Sequence, residues 1–211
     1  LVEEILDISM IETKQIKINY EKVGIKSILD DVKNIIDGEI LNEKKTDIEL
    51  ILNIDPEIDE IFIFTDGRKL KQVLLNLLKN SLKFTEAGYI EFGFTEVKKD
   101  HSDFLKFYVK DTGIGIEKKY HDVIFNIFRQ IDDTHTRKYG GTGIGLSIAS
   151  KIIELLGGEI WVESEQGAGS VFNFTVPALN KIKKQENYRP DYDSSTDNDY
   201  SGKTILIAED E

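Results

Sequence analysis

The sequence predicts an α+β fold, a two-layer sandwich with its helices on one face of a mixed sheet. Three observations carry that prediction. Strand-like runs at 16–23, 47–54 and 61–64 are interleaved with helical segments. The stretch 66–83 places Leu70, Val73, Leu74, Leu77 and Leu78 at i, i+3, i+4, i+7 and i+8, the spacing of one apolar helix stripe. A hairpin pattern at 159–163 and 170–176 closes the pattern at Pro177.

In chain order, residues 1–15 show helical apolar spacing (Leu1, Val2, Ile5, Leu6, Met10) and read as the end of a longer helix. A strand at 16–23, a helix at about 25–41 and strands at 47–54 and 61–64 follow. The amphipathic helix at 66–83 comes next, then strands at 89–97 and 104–109. The polar stretch 132–139 reads as a mobile loop, and a helix is expected over 142–156. From Lys181 to Asp199 aliphatics are scarce and charges crowd, so 180–202 is expected to be a flexible linker. The run from Lys203 to Ala208 followed by Glu209, Asp210 and Glu211 reads as a short apolar strand opening a second domain.

Composition narrows the function classes. A net charge of −12 argues against nucleic acid or an anionic membrane as the main partner. No twenty-residue apolar run is present, and the first residues lack the basic start of a signal peptide. A chain opening on Leu1 is expected to be a piece of a longer protein. With no cysteine, disulfides and thiolate metal sites are excluded.

Two glycine clusters and one helix edge carry the chemistry. Asn76, Asn80 and Lys83 share an edge of the 66–83 helix at about 100° per residue. The Asn80 amide oxygen suits Mg²⁺, a hard ion that keeps several waters while binding phosphate, and Lys83 can meet a phosphate as a point charge. The alternative is an ordinary solvated helix face. Asp111, at the end of a strand, can accept from an adenine amino group, with Gly113 and Gly115 letting the base approach; Asp-Thr-Gly is equally a common turn composition. The second cluster, Gly140-Gly141-Thr142-Gly143-Ile144-Gly145, precedes a helix and so offers free amides and a positive dipole end to phosphate. It is not a P-loop, since Leu146-Ser147 follow Gly145 where Lys-Ser/Thr is required. Nor is it a dinucleotide-binding fingerprint, because a polar loop rather than a strand precedes it.

The order of these pieces resembles the catalytic, ATP-binding domain of sensor histidine kinases, most like those of hybrid kinases. Residues 66–85, with Asn76, Asn80 and Lys83, resemble the family's N box; 109–116 resemble its first G box; Ile124-Phe125 and Phe128-Arg129-Gln130 resemble the F box; and 136–148 resemble the second G box. The likeness covers about 16–177. It implies the Bergerat fold, a mostly antiparallel mixed sheet packed on helices with an ATP lid over 118–139, and a domain spanning 16–179.

The resemblance further implies ATP and Mg²⁺ as ligands. Asn80 is then the metal ligand, with Asn76 and Lys83 beside the phosphates. Asp111, Gly113, Gly115 and Ile116 form the adenine pocket. Phe128, Lys138, Tyr139, Gly141, Thr142, Gly143, Ile144, Gly145 and Leu146 line the triphosphate or its lid. Arg129, Arg137 and Lys138 are γ-phosphate candidates. Ser170 stands where the family often has threonine near the aspartate. Hydrolytic members of the superfamily carry a glutamate four residues before the metal-binding asparagine; Asn76 stands there instead, which favours transfer to histidine. A degenerate ATP-binding module and a hydrolytic ATPase are the alternatives.

None of His101, His121 and His135 has the family's phosphoacceptor context, so they read as ordinary surface histidines. Residues 1–15 resemble the end of a dimerisation and histidine-phosphotransfer helix, and 203–211 the start of a receiver domain. The implied partners are an upstream acceptor domain and a receiver, in a homodimeric parent acting on the cytoplasmic side, whether or not it is anchored in the plasma membrane.

Overall fold

The computed structural model describes residues 16–55, 60–99, 102–126, 143–179 and 182–183. In chain order the elements are β1 (Glu21–Gly24), α1 (Ile25–Asn42), β2 (Ile48–Asn53), β3 (Ile61–Thr65), α2 (Gly67–Phe84), β4 (Gly88–Lys99), β5 (Ser102–Asp111), a 3₁₀ turn (Lys118–Tyr120), α3 (Gly145–Leu155), β6 (Ile160–Glu165), β7 (Gly169–Pro177) and β8 (Ile182–Lys183).

Five strands form the main sheet in the order β2-β4-β5-β7-β6. Only β2 and β4 run parallel, from Ile48 opposite Gly88 to Asn53 opposite Gly93. The other neighbours are antiparallel. Strict alternation aims one face of the sheet at the helices. Ile90, Phe92 and Phe94 on β4, Leu105, Phe107 and Val109 on β5, and Phe172, Phe174 and Val176 on β7 are buried. Phe107 stacks on Phe174 with centroids 4.9 Å apart. The opposite face is polar: Asn53 and Tyr108 both donate to the Glu91 carboxylate, at 3.0 and 2.7 Å.

Helix α2 supplies the complementary layer. Asp66 caps its start by accepting from the Lys69 amide, and Leu70, Val73, Leu74, Leu77, Leu78 and Leu82 are buried along one side. The helix runs beneath β4 and β5 and packs on α1 and α3. The predicted sandwich is therefore the observed one.

Some boundaries moved. The strand expected over 16–23 is reduced to Glu21–Gly24, paired with β3. The Asn19 amide is committed to the Asp66 carboxylate at 3.0 Å, 47 residues away in sequence, rather than to a ladder. Within the stretch read as a linker from residue 180, Ile182–Lys183 pair with Phe62 and Ile61 as the far edge of a three-stranded sheet, β1-β3-β8. The predicted helix at 1–15 and the strand at 203–211 lie outside the described residues.

Candidate nucleotide-binding site

The end of β5 builds the most enclosed part of the site. Asp111 is the last residue of that strand, held between Ile90 on β4 and Ser170 on β7. Alternation turns its side chain toward the helices, where it is 4% exposed. One carboxylate oxygen accepts from the Ser81 hydroxyl and the other from the Gly113 amide, each at 2.9 Å. Burial pushes this carboxyl above the ordinary aspartate range, and the donors from Gly113, Ser81 and the Ser170 backbone partly offset it. A buried acceptor kept in place by its donors is suited to an amino group of a planar base.

The first glycine cluster owes its residues to close backbone approach. A Cβ on Gly113 would stand 2.5 Å from the Phe84 carbonyl oxygen. Gly115 has a φ of +67°, and a Cβ there would lie 1.9 Å from the Glu165 carbonyl oxygen. The loop is then fastened to the β6–β7 hairpin. The Ile116 amide donates to the Ser164 hydroxyl at 2.8 Å, and that hydroxyl is 2.7 Å from the Gly169 carbonyl and 3.1 Å from the Ser170 hydroxyl. Ile116 itself packs partly into the core.

The polar edge of α2 is more open. Asn76, Asn80 and Lys83 are all half-buried, as the predicted helix edge requires. Asn76 Nδ2 donates to the Gly145 carbonyl at 3.1 Å, so the edge touches the start of α3 directly. Lys83 Nζ lies 4.8 Å from the Phe84 ring centroid, and burial lowers its affinity for the proton. Lys83 also lines an open cleft of about 670 Å³ with Glu39, Asn42, Lys45, Lys79 and Leu82.

Helix α3 begins at Gly145, and its N-cap residue Ile144 provides no side-chain cap. The first N–H groups of a helix, at its positive dipole end, suit an anion. Gly143 has a φ of +69°, which only glycine adopts without strain. Ile144 differs from the expectation: at 2% exposure it is part of the core, so only its backbone faces the cluster. Leu146 also packs partly against the core.

The lid is described only at its start. Ile124 is buried, and Phe125 meets Phe172 edge-on at 6.5 Å, anchoring the segment to the sheet. His121, read as a surface residue, is half-buried, and its Nε2 donates to the Ile116 carbonyl at 3.1 Å. Phe128, Arg129, Arg137, Lys138, Tyr139, Gly141 and Thr142 lie outside the described residues, as do His101 and His135.

Sequence reasoning missed Ser81 and Ser164. A signal for Ser81 was present: it falls three and four residues after Leu78 and Leu77, a hydroxyl on an otherwise apolar stripe. Ser164 gives no such signal, because its role depends on the hairpin register that sets it opposite Ser170.

Residues 65–180, more than half of the chain, match the family described as histidine kinase-, DNA gyrase B-, and HSP90-like ATPase. Hybrid signal transduction histidine kinase B of Dictyostelium discoideum is 39% identical over 181 residues, covering 84% of this chain and 9% of that protein. The aerobic respiration control sensor protein ArcB of Escherichia coli (strain K12) is 34% identical over 180 residues, covering 84% of this chain and 22% of that protein. The chain thus spans less than a quarter of the length of either relative. Among solved structures, full-length ShkA in complex with AMPPNP superposes with a TM-score of 0.71 at 29% identity, over 84% of this chain and 35% of that one. The buried aspartate, the asparagine edge and the two glycine clusters therefore sit in a known frame, and the chain belongs to the histidine kinase-, DNA gyrase B- and HSP90-like ATPase family, as the ATP-binding catalytic domain of a sensor histidine kinase.

Proposed function

We propose that the chain binds ATP with Mg²⁺ and delivers the γ-phosphoryl group to a histidine on a domain outside it, as one step of a phosphorelay. The observation that supports transfer over hydrolysis is Asn76. An amide has no basicity near neutral pH, and this one spends its N–H on the Gly145 carbonyl. It cannot take a proton from water. A neutral imidazole needs no such base, because its unprotonated nitrogen is already nucleophilic at neutral pH. That nitrogen forms the P–N bond as the bond from the γ-phosphorus to the bridging oxygen breaks, ADP leaves with the electron pair, and the other ring nitrogen loses its proton to solvent.

Asp111 holds the adenine amino group, while Gly113 and Gly115 allow the base to lie close. Asn76, Lys83 and the α3 amides face the phosphates. Arg129, Arg137 and Lys138 of the lid complete the γ-phosphate contacts, with Phe128, Tyr139, Gly141 and Thr142 beside them. Among the described residues no cluster of three or more His, Asp or Glu could hold a metal. Asn80 offers a single neutral oxygen as the protein ligand. That fits Mg²⁺, which is held largely by water and phosphate. When bound, the ion supplies charge neutralisation at the transferring group.

The acceptor domain lies upstream of residues 1–15 in this reading, the residues after β8 up to 202 are a linker, and 203–211 open a receiver domain. The parent is a homodimer, and this domain works on the cytoplasmic side. No helix among the described residues is long and apolar enough to cross a membrane.

The test mixes the chain with ATP, Mg²⁺ and a separate histidine-bearing acceptor domain. Acid-labile, base-stable phosphate on the acceptor is expected. ATP binding with no transfer would overturn the kinase reading in favour of a binding module.

A further inference from the structure

We infer that Ser81 is a positioning residue for base recognition: its hydroxyl, presented from the apolar side of α2, orients the Asp111 carboxylate toward the exocyclic amino group of adenine. The inference rests on the reading of Asp111 as the adenine acceptor, and goes beyond it in naming what aims that acceptor.

The geometry is specific. Ser81 is 1% exposed and stands among Leu74, Leu77 and Leu78 on the core-facing stripe of α2. A serine there ordinarily returns its hydroxyl to a carbonyl one turn earlier in the helix. Here the proton goes to Asp111 Oδ2 at 2.9 Å, across thirty residues of sequence. The backbone of Asp111 is already fixed by β4 and β7. What remains free is rotation of the carboxylate about its own bonds. The Gly113 amide holds Oδ1 only. A second donor on the other oxygen fixes the plane of the group, and each oxygen keeps a further lone pair for a ligand. Without Ser81, the carboxylate keeps only main-chain donors, from Gly113 and Ser170, in a site too buried for water to substitute for the lost side-chain donor.

The test measures calorimetric affinities of the full chain and its Ser81→Ala variant for two Mg²⁺-bound nucleotides. One is ATP; the other is purine riboside triphosphate, which lacks the exocyclic amino group. The inference expects Ser81→Ala to bind ATP about tenfold more weakly, the scale of one hydrogen bond to a charged group. The amino-free nucleotide should change by less than about twofold on the same scale. Equal losses for both nucleotides would mean a merely structural role, and no loss for either would also overturn the inference. Ser81→Cys, with nearly the same volume and a weaker donor, should fall between, and it carries the test if the alanine variant does not fold. Asp111→Asn separates the layers. If it binds ATP normally, the adenine reading itself fails; if it loses ATP while Ser81→Ala does not, only the role of Ser81 fails.

Discussion

The two ends of the site are built on different principles. At the base end, Asp111 is buried at a strand terminus, both of its oxygens already hydrogen-bonded, in a loop held by Ser164 and by glycines that admit no side chain. At the phosphate end, Asn76, Asn80 and Lys83 are half-buried on a helix edge, beside a helix start whose N-cap residue, Ile144, has no capping side chain. The first end is a buried acceptor fixed by its neighbours, while the second is a half-buried helix edge that faces the start of α3. Recognition of a flat base needs a fixed shape, whereas a triphosphate and its metal bring their own charge and ligands. The sandwich supplies rigidity where it is used for selection and openness where the ligand completes the site.

Substitutions can break that contrast, beginning with the strongest. Asp111→Asn should weaken ATP binding by about 2–3 kcal/mol, since it removes a charged acceptor from a buried site; isothermal calorimetry reads this directly. A loss no larger than that of an exposed charge would mean that the base end is not where selection occurs.

Gly115→Ala should destabilise the fold by about 2 kcal/mol or more, because the added methyl meets the Glu165 carbonyl in a left-handed backbone conformation. Thermal unfolding monitored by circular dichroism checks it. Asn80→Ala tests the open end. It should leave the melting temperature within about a degree, as half-exposed polar substitutions do, while removing the Mg²⁺ dependence of nucleotide affinity.

Titration offers a subtler comparison. Asp111 has its folded-state affinity for the proton raised by burial, so the folded chain binds more protons than the unfolded one across the interval above the ordinary carboxylate range. Its contribution to stability is therefore most favourable below the unfolded value and is lost as pH rises through the raised one. ATP affinity should move the opposite way, falling as the carboxylate is neutralised in the same interval. Stability and affinity curves for the natural chain and Asp111→Asn would show whether both slopes belong to this residue. The smallest effect is expected far from either end. Breaking the exposed Lys71–Asp31 pair with Lys71→Ala should change stability by less than about 0.5 kcal/mol and leave affinity untouched.

Most of the architecture was legible because local periodicity and long-range packing agree here. The leucines of α2 and the alternation of β5 name their own buried faces, and the glycine clusters fall at a strand end and a helix start. What escaped depends on groups far apart in sequence. The shortness of β1 follows from a side chain at Asp66 claiming the Asn19 amide. The parallel pairing of β2 with β4 and the edge strand β8 are set by register, which no local pattern encodes. In the site, α2 reaches Asp111 through Ser81 and Gly145 through Asn76, while Ile144, expected at the ligand, gives its side chain to the core. The serines that orient Asp111 and its loop were passed over, because a hydroxyl is informative only once its partner is known.

The central claim is that Asn76 leaves this nucleotide site without a base for water. Steady-state phosphate release by the chain alone, at saturating ATP and Mg²⁺, tests it most directly. The account predicts release no faster than that of the Asn80→Ala variant under the same conditions. Release on the order of one per second, abolished by Asn80→Ala, would identify a hydrolytic ATPase and contradict it.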